Sequence, residues 1–169
     1  MLRILMVTLG ILFNINSVFA GSNTGFNLLT NIKKVPPSIG RCHMDGCSWS
    51  KPVSVRVVQK SEEQAILEVA LLGGESTHKD GNYPDNYKGV NIDWDKEPHK
   101  VVITCSYKHP SVAIDDQIDV LPLNPDGVSG FLESSANLYF EYCHSYNTNG
   151  DNSDGSKRFG YNIQDSTPY

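Results

Sequence analysis

The sequence predicts an α+β domain in which an antiparallel sheet of five to six strands is covered by a C-terminal helix and held by two disulfides. Between residues 51 and 123, apolar and polar side chains alternate through several short segments, as they do in half-buried strands. From residue 129 to 143 apolar side chains recur at steps of three and four, which is typical of one helix face. The chain has four cysteines, enough for two crosslinks.

The first twenty residues have the pattern of a secretory signal peptide. Arg3 is their only charged residue, and a mainly apolar run follows over residues 4–13. Val18 and Ala20 supply the small side chains that precede a signal-peptidase cut. The apolar run is shorter than the about 20 residues that span a bilayer. We therefore expect cleavage after residue 20 and a periplasmic or secreted protein that is not inserted in the membrane.

The net charge and the length of the chain indicate the kind of partner and the number of domains. After the predicted cleavage the chain has thirteen basic and nineteen acidic residues, because Arg3 is lost from the fourteen. No basic stripe supports nucleic-acid binding, so the expected partner is another protein, and a basic one if electrostatics contributes. We expect an arm over residues 21–41, packed through Phe26, Leu28 and Leu29, and then a single domain over residues 42–169. The oligomeric state stays open.

The cysteines form one close pair and one distant pair. Cys42 and Cys47 flank a turn made by Asp45 and Gly46, in which glycine can adopt positive φ, so their sulfurs can meet. In an oxidising compartment disulfides are favoured over zinc, which usually takes two closely spaced pairs. We predict Cys42–Cys47 and Cys105–Cys143. A redox role for the first pair is the alternative to a structural one, although redox proteins more often use C-x-x-C spacing.

The strands follow in order. Val53, Val55 and Val57 are predicted to share the inner face of a first strand, and residues 65–71 form a second with odd-numbered positions inward. Shorter strands are expected at residues 90–94, 100–106, 112–114 and 118–123. An inward Cys105 on the fourth strand can then meet an inward Cys143 on the closing helix.

The helix over residues 129–143 carries Leu132, Ala136, Tyr139 and Cys143 on one stripe. Residues 147–156 are rich in Asn, Asp, Gly and Ser, and we expect a flexible loop there, because neither alignment with a calcium-loop signature supplies the final Glu. The tail after this loop is expected to be a last edge strand or a loose end.

The best candidate binding surface is the cysteine-closed tip together with the long segment over residues 73–89. Such segments often carry function, and tyrosines provide contact area at low entropic cost. The candidate residues are His43, Met44, Asp45, Trp49, His78, Asp80, Tyr83, Asp85 and Tyr87. The oxygen-bearing side chains of the long segment could suit calcium, but their spacing matches no calcium-loop signature. We therefore expect no metal and no cofactor.

No complete catalytic motif is present, and no catalytic residue is predicted. Ser48 and Lys51 match S-x-x-K, but the K-T-G signature of penicillin-interacting enzymes is missing. All five histidines are expected in loops or at element ends, in contact with solvent. We therefore expect a protein-binding module, most concretely an inhibitor or immunity-type protein acting on an extracytoplasmic enzyme. The alternatives are a small hydrolase of wall or sugar substrates using His78, Asp80 and Asp85, and a structural envelope-associated protein.

Overall fold

The computed structural model describes residues 25–33 and 35–163. The predicted signal peptide, residues 1–20, lies outside the described residues. Within them, six antiparallel strands form one sheet that is curled as a half-barrel, and a two-residue strand, β4, adds to β3. The sheet order is β1-β2-β3-β5-β6-β7. The strands are β1 Ser38–His43, β2 Gly46–Lys60, β3 Gln64–Thr77, β4 Asp93–Trp94, β5 His99–Ser106, β6 Ser111–Ile114 and β7 Gln117–Val120.

Two helices follow the sheet. A 3₁₀ turn at Gly130–Leu132 leads into α1, Glu133–His144, and a shorter helix, α2, spans Asn152–Phe159. The predicted α+β architecture, with a C-terminal helix on an antiparallel sheet, is therefore confirmed. The helix stripe is also confirmed: its four members are all buried, namely Leu132, Ala136, Tyr139 and Cys143.

The core lies between α1 and the inner face of β3 and β5. The odd-numbered residues of β3 from Ala65 to Leu71 point into it, as the alternation predicts, and Leu67 and Val69 are fully buried. Leu67 pairs with Ile103 and Val69 with Val101, so apolar side chains face each other across the two strands. Burying side chains of this size contributes about 1.5–3 kcal/mol each.

The predicted disulfide between β5 and α1 is present. Cys105 and Cys143 are fully buried, and their Cα atoms are 5.5 Å apart. Beside the bond, the Tyr139 hydroxyl donates to the Ser106 carbonyl at 2.9 Å and accepts the Ser106 N–H at 3.1 Å. A covalent bond and two hydrogen bonds thus attach one turn of α1 to the end of β5.

The first predicted strand differs from expectation. Val55 packs against the core, but Val53 is 52% exposed and Val57 is 38% exposed. The pairing of β2 with β3 slips between Pro52 and Ser54 and again between Val57 and Gln59. Pairing with β1 ends at Ser50, so this part of β2 lies at the edge of the sheet. The prediction that all three valines share a buried face was wrong. The alternation of apolar and polar residues indicates a strand, but it does not tell whether that strand lies at the edge or in the centre of the sheet.

The expected arm is partly strand, since β1 begins at Ser38 within it. In the described part of the arm before β1, Phe26, Leu28 and Leu29 pack against the core, as predicted. Phe26 stacks on Tyr107 with ring centroids 4.8 Å apart, and the Leu29 N–H donates to the Tyr142 carbonyl at 2.9 Å.

The flexible loop predicted over residues 147–156 was wrong in its second half, which forms the start of α2. Asp151 caps this helix, because its carboxylate accepts the N–H groups of Ser153 and Asp154. A Cβ on Gly155 would lie 2.9 Å from the Phe140 ring, so glycine allows α2 to approach α1 closely. Capping and packing outweigh the low helix propensity of these residues. In the tail, the Ile163 N–H donates to the Leu123 carbonyl at 2.7 Å.

The two disulfides should contribute unequally to stability. Replacing Cys105 and Cys143 together by alanine should lower the free energy of unfolding by about 4 kcal/mol on the chain-entropy model, because the bond closes a long loop. The matched double replacement of Cys42 and Cys47 should cost about 2 kcal/mol. Urea unfolding of both variants measures this, and equal losses would contradict the assignment of the distant pair as the main crosslink.

Candidate functional site

The candidate site is the tip of the β1–β2 hairpin. The predicted Cys42–Cys47 disulfide closes it, with Cα atoms 4.0 Å apart. Met44 has φ 55°, a left-handed conformation that non-glycine residues rarely adopt. Its side chain is 77% exposed. The hairpin therefore presents an apolar side chain to solvent on a backbone closed by a covalent bond.

The long segment after β3 contacts this tip. The His78 N–H donates to the Asp45 carbonyl at 2.6 Å, and the Tyr83 hydroxyl donates to the Met44 carbonyl. The His78 and Tyr83 rings meet edge to face with centroids 6.3 Å apart. Tyr83 remains 40% exposed. The structure thus brings the two parts of the predicted surface together, and we call His43, Met44, Asp45, His78 and Tyr83 the tip surface.

Trp49 does not belong to that surface, because it is only 3% exposed. Its indole N–H donates to Ser76 Oγ at 2.7 Å. Trp49 pairs with Gly74, which also pairs with Trp94 of β4. A Cβ at Gly74 would lie 2.7 Å from the Trp94 ring, so this glycine makes room for the returning chain. Trp49 is thus buried between β2 and the chain that pairs with β3. The prediction that Trp49 belongs to the binding surface was wrong.

The remaining candidate residues lie in two separate clefts or in neither. Asp85 and Tyr87 line a groove of about 600 Å³ beside β1. His78 lines a cleft of about 420 Å³ with Glu75 and Asp93. Asp80 is exposed and lines neither. The three residues of the hydrolase alternative are therefore not gathered in one of these clefts.

A Ser–His pair is the most enzyme-like feature, and its serine, Ser76, was not among the predicted site residues. Ser76 Oγ lies 2.8 Å from His78 Nε2. The indole N–H of Trp49 can only donate, so Ser76 Oγ accepts that bond. In the His78 tautomer whose Nε2 carries no proton, the Ser76 hydroxyl donates to Nε2, and in the other tautomer Nε2 donates to Ser76. The first arrangement is the hydrogen bond that joins a nucleophile to its base in hydrolases.

Its surroundings favour a structural role for the pair. Ser76 is 6% exposed, and its oxygen already accepts the Trp49 indole. In the described part of the chain, no carboxylate hydrogen-bonds to the second ring nitrogen of His78 to orient it. The pair therefore joins the long segment to β3 and, through Trp49, to β2.

A second histidine, His99, lies between two carboxylates beside Gly73 of β3. Its ring nitrogens are 3.0 Å from Asp115 and 3.2 Å from Asp95. The hydrogen bond to Asp115 and, to a smaller extent, the hydrogen bond to Asp95 raise the pKa of His99. The Asp95 N–H donates to the Gly73 carbonyl, so this cluster also holds the chain that returns over β3.

His144 corrects the expectation that every histidine contacts solvent. It is 4% exposed, and its ring stacks on Phe159 with centroids 3.9 Å apart. His144 Nε2 lies 2.9 Å from the Tyr161 hydroxyl, which lies 2.7 Å from the Tyr139 hydroxyl. The Tyr139 hydroxyl donates to the Ser106 carbonyl. If the Tyr161 hydroxyl in turn donates to Tyr139, then Nε2 of His144 carries the proton and donates to Tyr161. Nδ1 of His144 is then an acceptor without a hydrogen-bond partner. Burial lowers the pKa of His144 to about 4.

Comparisons with known proteins identify no relative: no family model, curated protein or solved structure matches this chain. Within residues 25–33 and 35–163, no group of three or more His, Cys, Asp or Glu side chains could hold a metal ion. No helix in the described part of the chain is long and apolar enough to cross a membrane. The two disulfides are consistent with an extracytoplasmic protein.

Ser76→Ala tests the role of the Ser–His pair. The variant removes the acceptor of a buried indole N–H, so the free energy of unfolding should fall by about 1–3 kcal/mol. A fluorophosphonate probe, which labels activated serines, should not modify the wild type, as mass spectrometry of the intact protein would show. The exposed Ser48→Ala variant controls for loss of a serine. Labelling that disappears in Ser76→Ala would contradict the structural assignment.

The buried histidine should make stability fall with acid. Because the folded pKa, about 4, is below the ordinary value of 6.5, the unfolded chain takes up a proton between these values that the folded chain does not. His144 should lower the free energy of unfolding by about 1–2 kcal/mol from pH 7 to pH 5, whereas His99, whose pKa is raised, acts in the opposite direction. His144→Phe should remove most of this drop, whereas His43→Gln should keep it. Urea midpoints at both pH values give the answer, and an unchanged drop in His144→Phe would rule out this cause.

Proposed function

We propose that this protein is an extracytoplasmic binding module that contacts another protein through the tip surface, in the manner of an inhibitor or immunity-type protein. The observation that carries the proposal is Met44, 77% exposed on a hairpin closed by a disulfide and braced by a second segment. An apolar side chain displayed on a preorganised backbone can anchor a contact with a partner at low entropic cost.

The rigidity of the tip supports binding because a preformed contact loses little conformational entropy on association. The Cys42–Cys47 bond, the His78–Asp45 bond and the Tyr83–Met44 bond constrain the backbone on both sides of Met44. Methionine itself adapts to the shape of the surface that it meets. Tyr83 adds an aromatic ring next to it.

Charge favours a basic partner. The exposed carboxylates of Asp45, Asp80 and Asp85 lie on the tip and the long segment, where Lys79 and Lys88 are the nearby cations. The full chain has a formal net charge of −5, so long-range attraction would steer a basic protein toward it. The two disulfides and the predicted signal peptide support a site of action in the periplasm or outside the cell.

A small hydrolase is the second candidate, and its support is the Ser76–His78 hydrogen bond. The two proposals differ in what they require of Ser76. A hydrolase needs its oxygen free to attack, whereas a binding module needs only that it hold the tip in place. A third candidate, a structural envelope-associated protein, requires neither an exposed contact side chain nor an activated serine.

Site-directed photo-crosslinking tests the binding proposal. A benzophenone amino acid at position 44 should give one defined adduct when the protein is mixed with the extracytoplasmic fraction of its source. The same group at position 118 is the control, since Ile118 is 68% exposed at the far end of the sheet and should give no such adduct. Excess unlabelled wild type should suppress the adduct, whereas excess Met44→Asp should suppress it at least about tenfold less well. Identical adducts from both positions, or none from position 44, would contradict the proposal.

A further inference from the structure

The second half of β2 is an open strand edge. β2 has fifteen residues, but β1 pairs only with its first part, as far as Ser50. On the other side, β3 pairs along the whole of β2, to Lys60. Residues 51–60 therefore have a neighbour on one side only, among the residues that the structure describes. The backbone groups on the outer side of such an edge can pair with another strand.

Three valines on this edge are exposed to solvent, although Lys51, Arg56 and Lys60 also lie on it. Val53 is 52%, Val57 38% and Val58 51% exposed. Natural proteins usually protect edge strands with charges, prolines or bulges, because an apolar edge associates with other strands. Pro52 and the two slips in register do protect the ends of the segment, but the stretch from Ser54 to Val57 pairs regularly with β3. That stretch is short, regular and apolar on alternate positions.

The segment is self-complementary about Val55. In an antiparallel pair of two copies centred on this residue, each Val53 lies opposite Val57 and each Ser54 opposite Arg56. The match continues to Lys51, which lies opposite Gln59, and it ends there because Ser50 already pairs with Ser38 of β1. Apolar positions meet apolar ones, and no like charges are directly opposite, which is the arrangement that stabilises antiparallel pairs.

The charge at the centre is already compensated within each copy. Arg56 forms an ion pair with Glu68 at 2.9 Å, and Lys100 lies 3.2 Å from the same carboxylate. An acidic strand from another protein would therefore compete with Glu68 for Arg56. A second copy of this chain would not compete for Arg56, because its uncharged Ser54 would lie opposite that residue.

We propose that the protein forms a homodimer by antiparallel pairing of β2 with β2 of a second copy, about a two-fold axis at Val55. The pairing joins two half-barrels into one continuous sheet. It is isologous, so it uses the same edge of both copies and leaves that edge closed to further growth. The slips at Pro52 and Val57 confine the pairing to a few residues, which also opposes extension into fibres.

The dimer would carry two tips that point in opposite directions. The tip begins at Gly46, nine residues from Val55, so each tip lies about 30 Å from the axis at 3.3 Å per residue, and the two are about 60 Å apart. The proposal does not rest on the proposed function, but the two are compatible. The pairing edge lies in β2 after Ser50, whereas the tip surface lies beyond the Gly46 end of β2, so both tips stay accessible.

Sedimentation equilibrium of the mature protein, from about 5 to 500 µM, tests the association. The wild type should show a concentration-dependent dimer. Val57→Lys places a charge in the apolar stripe and should raise the dimer dissociation constant at least about tenfold. Ile118→Lys, the same kind of change at an exposed position on the β7 edge, should leave it unaltered. A wild type that stays monomeric over the whole range would overturn the proposal, as would equal weakening by both variants.

Cysteine crosslinking tests the register without relying on a destabilising change. Val55→Cys places the new thiol on the two-fold axis, opposite its own copy, where mild oxidation should give a covalent dimer on a non-reducing gel. Val58→Cys is more exposed but lies off the axis, opposite Pro52, and should crosslink at least about fivefold less. Preferential crosslinking at position 58 would show that the copies associate by a different surface or register.

Discussion

The attachment of α1 to β5 is the constraint on which the rest of the structure depends. Cys143 is bonded to Cys105, and one turn earlier Tyr139 hydrogen-bonds to the backbone of Ser106. Because that turn of α1 is fixed, its other side chains form stable contacts with the rest of the chain. Phe140 packs against Gly155 of α2, and the ring of His144 stacks on Phe159. The Tyr142 carbonyl accepts a hydrogen bond from Leu29 of the N-terminal arm. Both ends of the described chain are therefore held by one helix that is crosslinked to the sheet.

The tip is stabilised by a second, separate set of interactions at the other end of β3. Gly74 admits Trp94 against the sheet, Ser76 links Trp49 to His78, and the backbone bond from His78 reaches Asp45. These contacts are local to the hairpin and the long segment. The hairpin also contacts α1 through β1, because Arg41 forms an ion pair with Glu133 at 3.3 Å and the Asn137 amide donates to the Gly40 carbonyl at 2.9 Å. Changes confined to residues 43–45 leave these contacts with α1 in place.

The sequence predicted the parts of the fold whose signal is periodic and failed where stability comes from a few distant contacts. β3, β5 and α1 were predictable because each buries every second residue or a helical stripe, and the two inward cysteines gave their pairing. α2 was missed because its stability comes from the Asp151 cap and from contact with Phe140, neither of which is visible in a run of polar residues. The burial of Trp49 depends on Gly74 and Trp94, which are far from it in sequence, and the same distance concealed the role of Ser76.

The geometry of β2 links the tip to the proposed dimer and sets what the dimer would gain. A single tip presents a small contact dominated by Met44 and Tyr83, and so few anchors give modest affinity. Two tips on one rigid sheet would act together only on a partner with sites at a matching separation, since a rigid connection gives high effective concentration at one distance and almost none elsewhere. The same dimer would then select for a paired or repeated target and bind an isolated one weakly. Specificity would come from the spacing that the β2 pairing imposes as much as from the side chains at the tip.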